Sequence, residues 1–201
     1  EIVAGLDYNG DNLNDLFVGD ITGNTPRFLN AGLGFVFFDA AQLKNQSFSM
    51  NAIPVGVTVT TILGAEINAI SSDTALHGDF DNDGFDDLGV ASPHLSPLGR
   101  NSAGTLHILW GQSVWPDTID LAADNQPDDS EFIITDIHGA NGTVGFDTGD
   151  TLAYSAANAD MDNDGLVDLI INEMIGNGTT PASEDAGNLI IISGALLSTY
   201  K

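Results

Sequence analysis

The hydrophobic residues of this chain fall in short runs, separated by polar segments rich in Gly, Asn and Asp. Short runs of Val, Ile, Leu and Phe with such boundaries are typical of β-strands. No apolar stripe with helical periodicity extends beyond two turns, and the best helical candidate, Ala40 to Gln46, is short and uncapped. Because the 23 glycines also suit tight turns, the pattern predicts an all-β fold.

An acidic segment occurs three times, and an apolar run follows each copy at once. The copies begin at Asp7, Asp79 and Asp160 and read DYNGDNLND, DFDNDGFDD and DMDNDGLVD. A second apolar run follows a variable polar stretch, as GFVFF, AGTLHILWG and AGNLIIISG, and further strand candidates lie at 55–63 and 131–137. Such an internal repeat predicts repeated units of strand, acidic loop, strand, loop, strand, longer loop and strand.

Four antiparallel strands repeated in this way are typical of the blades of a β-propeller. The sequence predicts a single segment of about three four-stranded blades, with approximate boundaries 1–63, 64–137 and 138–201. Three blades cannot close a ring, and an open propeller would leave strand edges exposed. We therefore expect the segment to belong to a larger protein or to complete a ring with another chain.

The three acidic segments share the pattern Asp-x-Asp/Asn-x-Asp-Gly/Asn-x-x-Asp, which repeats side-chain oxygens at positions 1, 3, 5 and 9. A hard cation such as calcium takes roughly six to eight oxygen ligands, which can include a backbone carbonyl. Position 7 is the natural source of that carbonyl. Position 6 is expected to be left-handed, which Gly84 and Gly165 adopt freely and Asn12 tolerates.

The pattern predicts about three calcium (Ca2+) ions, one in each segment. The predicted ligands are Asp7, Asn9, Asp11, Leu13 and Asp15 in the first; Asp79, Asp81, Asp83, Phe85 and Asp87 in the second; and Asp160, Asp162, Asp164, Leu166 and Asp168 in the third.

Two alternatives to these calcium loops can be weighed from the residues. An EF-hand needs a bidentate acid at position 12, where this chain has Val18, Val90 and Ile171, so the EF-hand is excluded. Asx-rich turns without an ion would explain a single copy. Three copies with the same oxygen spacing favour a cation, because converging carboxylates repel one another unless a positive charge neutralises them.

The charge composition excludes several kinds of partner. There are 29 acidic residues against four Lys plus Arg, and the formal net charge is -25. A chain so poor in basic residues lacks a surface for nucleic acid, and no apolar run approaches the roughly 20 residues of a membrane helix. The absence of cysteine excludes disulfides and thiol catalysis. Bound cations, high salt or both are expected to offset the self-repulsion.

These residues resemble the FG-GAP repeat, the blade unit of the integrin alpha-subunit β-propeller and of many large secreted bacterial proteins. DFDNDGFDDLGVASP resembles its calcium loop and second strand, and NSAGTLHILWG and EDAGNLIIISG resemble its third strand. The segment VGFDTGDTLAYSAANADMDNDG is similar to the part that contributes "FG", with the order altered at Gly145 and Phe146. The first copy departs most, through Asn9, Asn12 and a VGD sequence in place of the "GAP" element.

The resemblance implies a calcium-stabilised, secreted or cell-surface module for adhesion, ligand binding or structural assembly. It implies protein or glycan ligands that bind through loops on one face, not at the structural calcium ions. Further blades, from the same or another chain, are the other expected partners.

Catalysis is not expected from the sequence. It has no HExxH, GxSxG or phosphate-binding glycine loop, and nothing local supports a Ser-His-Asp arrangement. His107 lies in an apolar strand and is expected to be packed, whereas His77 and His94 are expected at the surface. Two alternatives stay open: a catalytic or non-catalytic part of a calcium-dependent polysaccharide-degrading enzyme, and a structural subunit of an extracellular filament or matrix.

Overall fold

The computed structural model describes residues 1–122, 132–140, 149–176 and 186–201, and β-strands dominate these ranges. In chain order the strands are β1 (Ile2–Leu6), β2 (Asp15–Asp20), β3 (Leu33–Phe37), β4 (Val59–Leu63), β5 (Ala75–Gly78), β6 (Asp87–Ser92), β7 (Thr105–Leu109), β8 (Thr118–Asp120), β9 (Ile134–His138), β10 (Leu152–Ala159), β11 (Asp168–Glu173) and β12 (Asn188–Ile192). The described helices are single turns: 3₁₀ turns at Ala40–Leu43, Pro97–Gly99 and Ser198–Tyr200, and α1 at Gly194–Leu197. The predicted all-β class is confirmed, and the candidate helix at 40–46 forms only a 3₁₀ turn.

The strands form three sheets, with orders β1-β2-β3-β4-β8 (sheet A), β5-β6-β7-β9 (sheet B) and β10-β11-β12 (sheet C). Among the described strands, all the pairs are antiparallel except that of β4 with β8. Strand β8 was not predicted; the chain returns after leaving sheet B and adds a short parallel strand to the edge of sheet A. The division into blades at 1–63, 64–137 and 138–201 stays a prediction.

Each acidic segment connects the first two antiparallel strands of a sheet. The register places the aspartate at position 9 on the first residue of the second strand, at Asp15 of β2, Asp87 of β6 and Asp168 of β11. All three loops therefore have the same strand context, and a side chain at position 9 lies at the edge of the core.

Two hydrophobic clusters hold the sheets together, one between sheets A and B and the other between sheets B and C. Side chains of β6 and β7 point alternately to the two faces of sheet B and so contribute to both clusters. Leu88 and Val90 belong to the first cluster, and Leu106 and Ile108 belong to the second. Every residue of β6 and β7 is buried. Burying one Leu or Ile side chain stabilises the folded state by about 1.5–3 kcal/mol. Sheet B therefore contributes strongly to the stability of the fold, and its acidic loop is attached to well-packed strands.

Candidate functional site

The three acidic segments, here called loop 1 (7–15), loop 2 (79–87) and loop 3 (160–168), share one internal hydrogen-bond pattern. The position 1 carboxylate accepts the N–H of position 6 through Oδ2, at 2.8, 3.0 and 3.1 Å in loops 1, 2 and 3. Oδ1 of position 3 accepts the N–H of position 5 at 3.2, 3.2 and 3.1 Å. Oδ1 of position 5 accepts the N–H of position 7 at 2.8, 2.9 and 2.9 Å. The spacing seen in the sequence thus builds the same turn three times.

The backbone of each loop is left-handed at two positions, which explains the residues found there. The φ angles are 64° at Asn12, 94° at Gly84 and 92° at Gly165 for position 6, and 72° at Gly10, 60° at Asn82 and 62° at Asn163 for position 4. Gly and Asn are the residues that tolerate this conformation best. The conformation of position 6 agrees with the sequence prediction, whereas that of position 4 was missed although its Gly and Asn residues signal it.

The aspartate at position 9 is buried and connects its loop to two parts of the sheet. Asp15 and Asp87 are 0 % exposed and Asp168 is 2 % exposed. Their Oδ2 atoms accept the N–H of position 2 at 2.9, 2.7 and 2.8 Å. Their Oδ1 atoms accept the N–H of the second residue after the third strand, which is Asp39, Gly111 and Gly194, at 3.0, 2.7 and 3.0 Å. Position 9 therefore joins the loop, the second strand and the end of the third strand.

The carboxylates at positions 1, 3 and 9 converge in loops 2 and 3. In loop 2, Asp79, Asp81 and Asp87 each place a carboxylate oxygen within 4.8 Å of the others. In loop 3, Asp160, Asp162 and Asp168 do the same. Clustered oxygens with several negative charges are the donors that calcium prefers, so the residues present fit a calcium ion in both loops.

The remaining predicted ligands lie in the same loops but outside these two clusters. Asp83 and Asp164, at position 5, are exposed and bond to the N–H of position 7. These bonds use the N–H groups of Phe85 and Leu166. That the carbonyl oxygens of Phe85 and Leu166 bind calcium stays a prediction. At the predicted ligand positions loop 1 has one carboxylate fewer than loops 2 and 3, because Asn9 occupies position 3.

In loop 1, the side-chain amide of Asn9 forms a hydrogen bond with the carboxylate of Asp11. Its Nδ2 donates to Asp11 Oδ2 at 3.1 Å. Asp7 and Asp15 keep the positions predicted for ligands, and Leu13 donates its N–H to Asp11 at 2.8 Å. Loop 1 is therefore less negative than loops 2 and 3, and an amide of the loop itself contacts the Oδ2 atom of its position 5 aspartate.

Loops 1 and 2 are also bonded to each other. The N–H of Asp7 donates to Asp86 Oδ2 at 2.7 Å, and the N–H of Asp86 donates to the carbonyl oxygen of Asp7 at 3.1 Å. Trp115, from the connection between β7 and β8, donates its indole N–H to the carbonyl of Tyr8 at 3.0 Å. A cation that fixes loop 2 would therefore also restrain the first turn of loop 1.

Burial makes the charged forms of Asp15 and Asp87 unfavourable. It raises the pKa of Asp87 to about 7 and that of Asp15 to about 6, although in each case two backbone N–H groups act in the opposite direction. Other loop carboxylates, such as Asp81 beside Asp87, raise these pKa values further. A cation in the loop would favour the ionised carboxylates and offset this cost.

Without calcium, the free energy of unfolding should rise as the pH falls from about 7 towards about 4. The folded pKa values of Asp15 (about 6) and Asp87 (about 7) exceed the ordinary 3.8, so their contribution is fully present below pH 3.8 and lost as the pH rises through the folded values. Urea unfolding of calcium-stripped protein at pH 5 and 7.5 checks this. Asp87→Asn should flatten the dependence, and greater stability of the stripped protein at pH 7.5 would contradict the prediction.

A second polar cluster, for which the sequence contains no local signal, lies on sheet B. Ser92 Oγ is 3.1 Å from His107 Nε2, and His107 Nδ1 is 2.7 Å from Asp136 Oδ1. Ser71 Oγ extends the series, 2.7 Å from Ser92 Oγ. The order is that of a Ser-His-Asp triad, but both serines are 0 % exposed and His107 is 1 % exposed. Because a nucleophile must contact its substrate, these buried groups support a structural role, in which they join β6, β7 and β9 to the connection between β4 and β5.

Comparison with known proteins identifies the segment around loop 2. Residues 73–109, which include β5, loop 2, β6 and β7, match the FG-GAP repeat family. The resemblance found in the sequence is thereby confirmed, while the altered "FG" at Gly145 and Phe146 lies outside the described residues.

The chain is also similar to integrin alpha-V of Gallus gallus. The two are 32 % identical over 112 residues, which are 55 % of this chain and 10 % of that protein. The chain therefore matches about a tenth of the length of this relative. Together with the three sheets, the two comparisons support an integrin-like module. Across the described ranges, no helix has both the length and the apolar character needed to cross a membrane.

Proposed function

We propose that this chain is a calcium-binding β-propeller segment in which loops 2 and 3 each bind a calcium ion. The observation that carries the proposal is the convergence of three carboxylates in each of these loops, within a hydrogen-bonded turn that is repeated three times. Asx-rich turns alone need no such convergence, and mutual repulsion would disfavour it without a cation.

The proposed ion would be held mainly by the carboxylates at positions 1, 3 and 9, with position 5 and the carbonyl of position 7 as further ligands. When bound, it supplies the positive charge that keeps these oxygens together. The protein then transmits the effect through position 9, since Asp87 and Asp168 also accept N–H groups beyond the third strand. Calcium would therefore stabilise the junction of three strand ends. Loop 1 would be a weaker third site, through Asp7, Asn9, Asp11, Leu13 and Asp15.

We propose that sheets A, B and C are propeller blades within a larger ring. Alternation along β12 directs Ile190 and Ile192 towards sheet B and leaves Leu189 and Ile191 67 % and 54 % exposed on the other face. Exposed apolar side chains on an edge strand favour a covering partner. A further blade, from the same or another chain, is the partner we propose for this face.

We propose an adhesion-type or ligand-binding role at the cell surface or outside the cell, with a protein or glycan ligand. The similarity to integrin alpha-V supports it. A polysaccharide-degrading enzyme is less well supported. Ser92, the serine of the triad-like series, is buried. The tryptophans that could stack on a sugar ring are in packed positions, since Trp110 is 0 % exposed and Trp115 packs against Phe132 at 4.7 Å between ring centroids. The exposed face of β12 also suits self-assembly, which keeps a filament or matrix subunit as the second candidate.

A calorimetric calcium titration tests the proposal. Two ions should bind with dissociation constants in the range of roughly 10⁻⁷ to 10⁻³ M spanned by calcium sensors and extracellular modules, with a weaker third event from loop 1. The double substitutions Asp79→Asn/Asp81→Asn and Asp160→Asn/Asp162→Asn should each remove one of the two. Asp117→Asn, which removes an exposed charge outside the loops, should remove neither. Absence of calcium binding, confirmed by equilibrium dialysis, would overturn the proposal.

A further inference from the structure

A positively charged side chain lies directly on the carboxylates of loop 2. Lys201 Nζ is 2.6 Å from Asp81 Oδ2 and 2.5 Å from Asp83 Oδ2. It also lies 5.3 Å from the centre of the Trp110 ring. The side chains of Lys201 and Asp81 are 23 % and 9 % exposed, and that of Asp83 is 34 % exposed. Water therefore screens the ion pair with Asp81 less than it screens an ordinary surface ion pair.

The ammonium contacts the oxygens that the loop itself leaves open. Oδ1 of Asp81 already accepts the N–H of Asp83, and Oδ1 of Asp83 accepts the N–H of Phe85. The Oδ2 atoms, which are the ones available to a cation at positions 3 and 5, are those that Lys201 contacts. Its position therefore overlaps with the place where a metal ion would find ligands.

The segment that carries Lys201 is fixed at several points. Leu197 is 2 % exposed in the cluster between sheets B and C. The carbonyl of Tyr200 accepts the hydroxyl of Thr135 at 2.7 Å, and the N–H of Gly194 donates to Asp168 of loop 3 at 3.0 Å. The lysine is thus held near loop 2 by the fold, which reduces the entropy lost when the ion pair forms.

The three loops differ in the group that contacts position 5. Asp11 Oδ2 accepts the amide of Asn9, and Asp83 Oδ2 contacts Lys201. Within the described ranges, no Lys or Arg side chain forms an ion pair with Asp162 or Asp164 of loop 3. Loops 2 and 3 share their carboxylate pattern and differ in this internal cation.

We infer that Lys201 competes with calcium for loop 2, so that loop 3 fills at a lower calcium concentration than loop 2. The inference rests on the calcium binding proposed above. An ammonium and a calcium ion repel each other and need the same oxygens, so binding at loop 2 displaces Lys201. The apparent dissociation constant of loop 2 is then the intrinsic one divided by the fraction of molecules in which the loop is free of Lys201.

Calorimetry on chains with a single competent loop tests the competition. With loop 3 disabled by Asp160→Asn/Asp162→Asn, Lys201→Met should tighten calcium binding to loop 2 roughly fivefold, the upper end of the effect of a surface ion pair. Lys44→Met, an equal charge change at an exposed site, should leave it unchanged. With loop 2 disabled by Asp79→Asn/Asp81→Asn, Lys201→Met should leave loop 3 unchanged.

The displacement can be observed directly, because Lys44 and Lys201 are the lysines of the sequence. In protein with isotope-labelled lysine, calcium should shift the side-chain NMR signals of Lys201 and leave those of Lys44 in place. Calcium binding at loop 2 that Lys201→Met leaves unchanged or weakens, or unchanged Lys201 signals, would overturn the competition and leave the calcium sites standing. Failure of calcium to bind at any loop would instead overturn the proposed function.

Discussion

Saturating calcium is expected to raise the melting temperature of this chain by about 10–20 °C above its value in chelator. A ligand that binds only the folded state stabilises it by about 2.7 kcal/mol when its concentration is a hundredfold above the dissociation constant. Loops 2 and 3 together would then contribute about 5 kcal/mol, and each kcal/mol shifts the melting temperature of a domain of this size by roughly 2–4 °C. Differential scanning calorimetry in calcium and in chelator measures the shift.

The melt needs a control for charge screening, because the formal net charge of -25 makes any added salt stabilising. Sodium chloride at the ionic strength of the calcium buffer should give only a small part of the rise. An equal rise in sodium chloride would mean that screening, not bound calcium, stabilises the chain. Light scattering beside each melt is also needed, since self-association would make the melting temperature depend on protein concentration.

The turn within each acidic loop could be predicted from sequence because its interactions are local. The carboxylates at positions 1, 3 and 5 bond to N–H groups no more than five residues away, as Asp79 does with Gly84, so residue spacing nearly determines the geometry. The buried role of position 9 could not be predicted in the same way. Asp87 accepts the N–H of Gly111, 24 residues later, and that contact depends on how β6 pairs with β7.

Three features without a sequence signal depend on tertiary contacts. Ser92, His107 and Asp136 become neighbours only through the registers of β6 with β7 and of β7 with β9. Lys201 meets Asp83 across 118 residues. The short strand β8 has no strong hydrophobic pattern of its own and exists through its parallel pairing with β4. In each case the local sequence does not indicate which distant residue or strand will be in contact.

Asp87→Ala is expected to destabilise the calcium-loaded chain by about 5 kcal/mol. The substitution removes both acceptors of two buried N–H groups, those of Phe80 and Gly111, and each unpaired group costs about 1–3 kcal/mol. It also removes a proposed ligand of loop 2, with the loss of about 2.7 kcal/mol at a hundredfold excess of calcium. Relief of the burial cost of the carboxylate offsets part of the total. Urea unfolding in calcium measures the loss of the hydrogen bonds and of the calcium ligand together. Urea unfolding in chelator measures the loss of the hydrogen bonds alone.

Two further substitutions separate the hydrogen-bonding role of Asp87 from its role as a ligand. Asp87→Asn keeps one acceptor oxygen and removes the charge, so it should lose the calcium response of loop 2 and be more stable than Asp87→Ala in chelator. Asp79→Asn, in the same loop, has no bond to the third strand and should also reduce the calcium response, with little effect in chelator. If Asp87→Ala unfolds no more easily than Asp79→Asn in chelator, the contacts with Phe80 and Gly111 do not hold the junction, and position 9 matters only as a ligand. If Asp87→Ala keeps the full calcium response, the ligand role is wrong, and the buried aspartate serves the sheet alone.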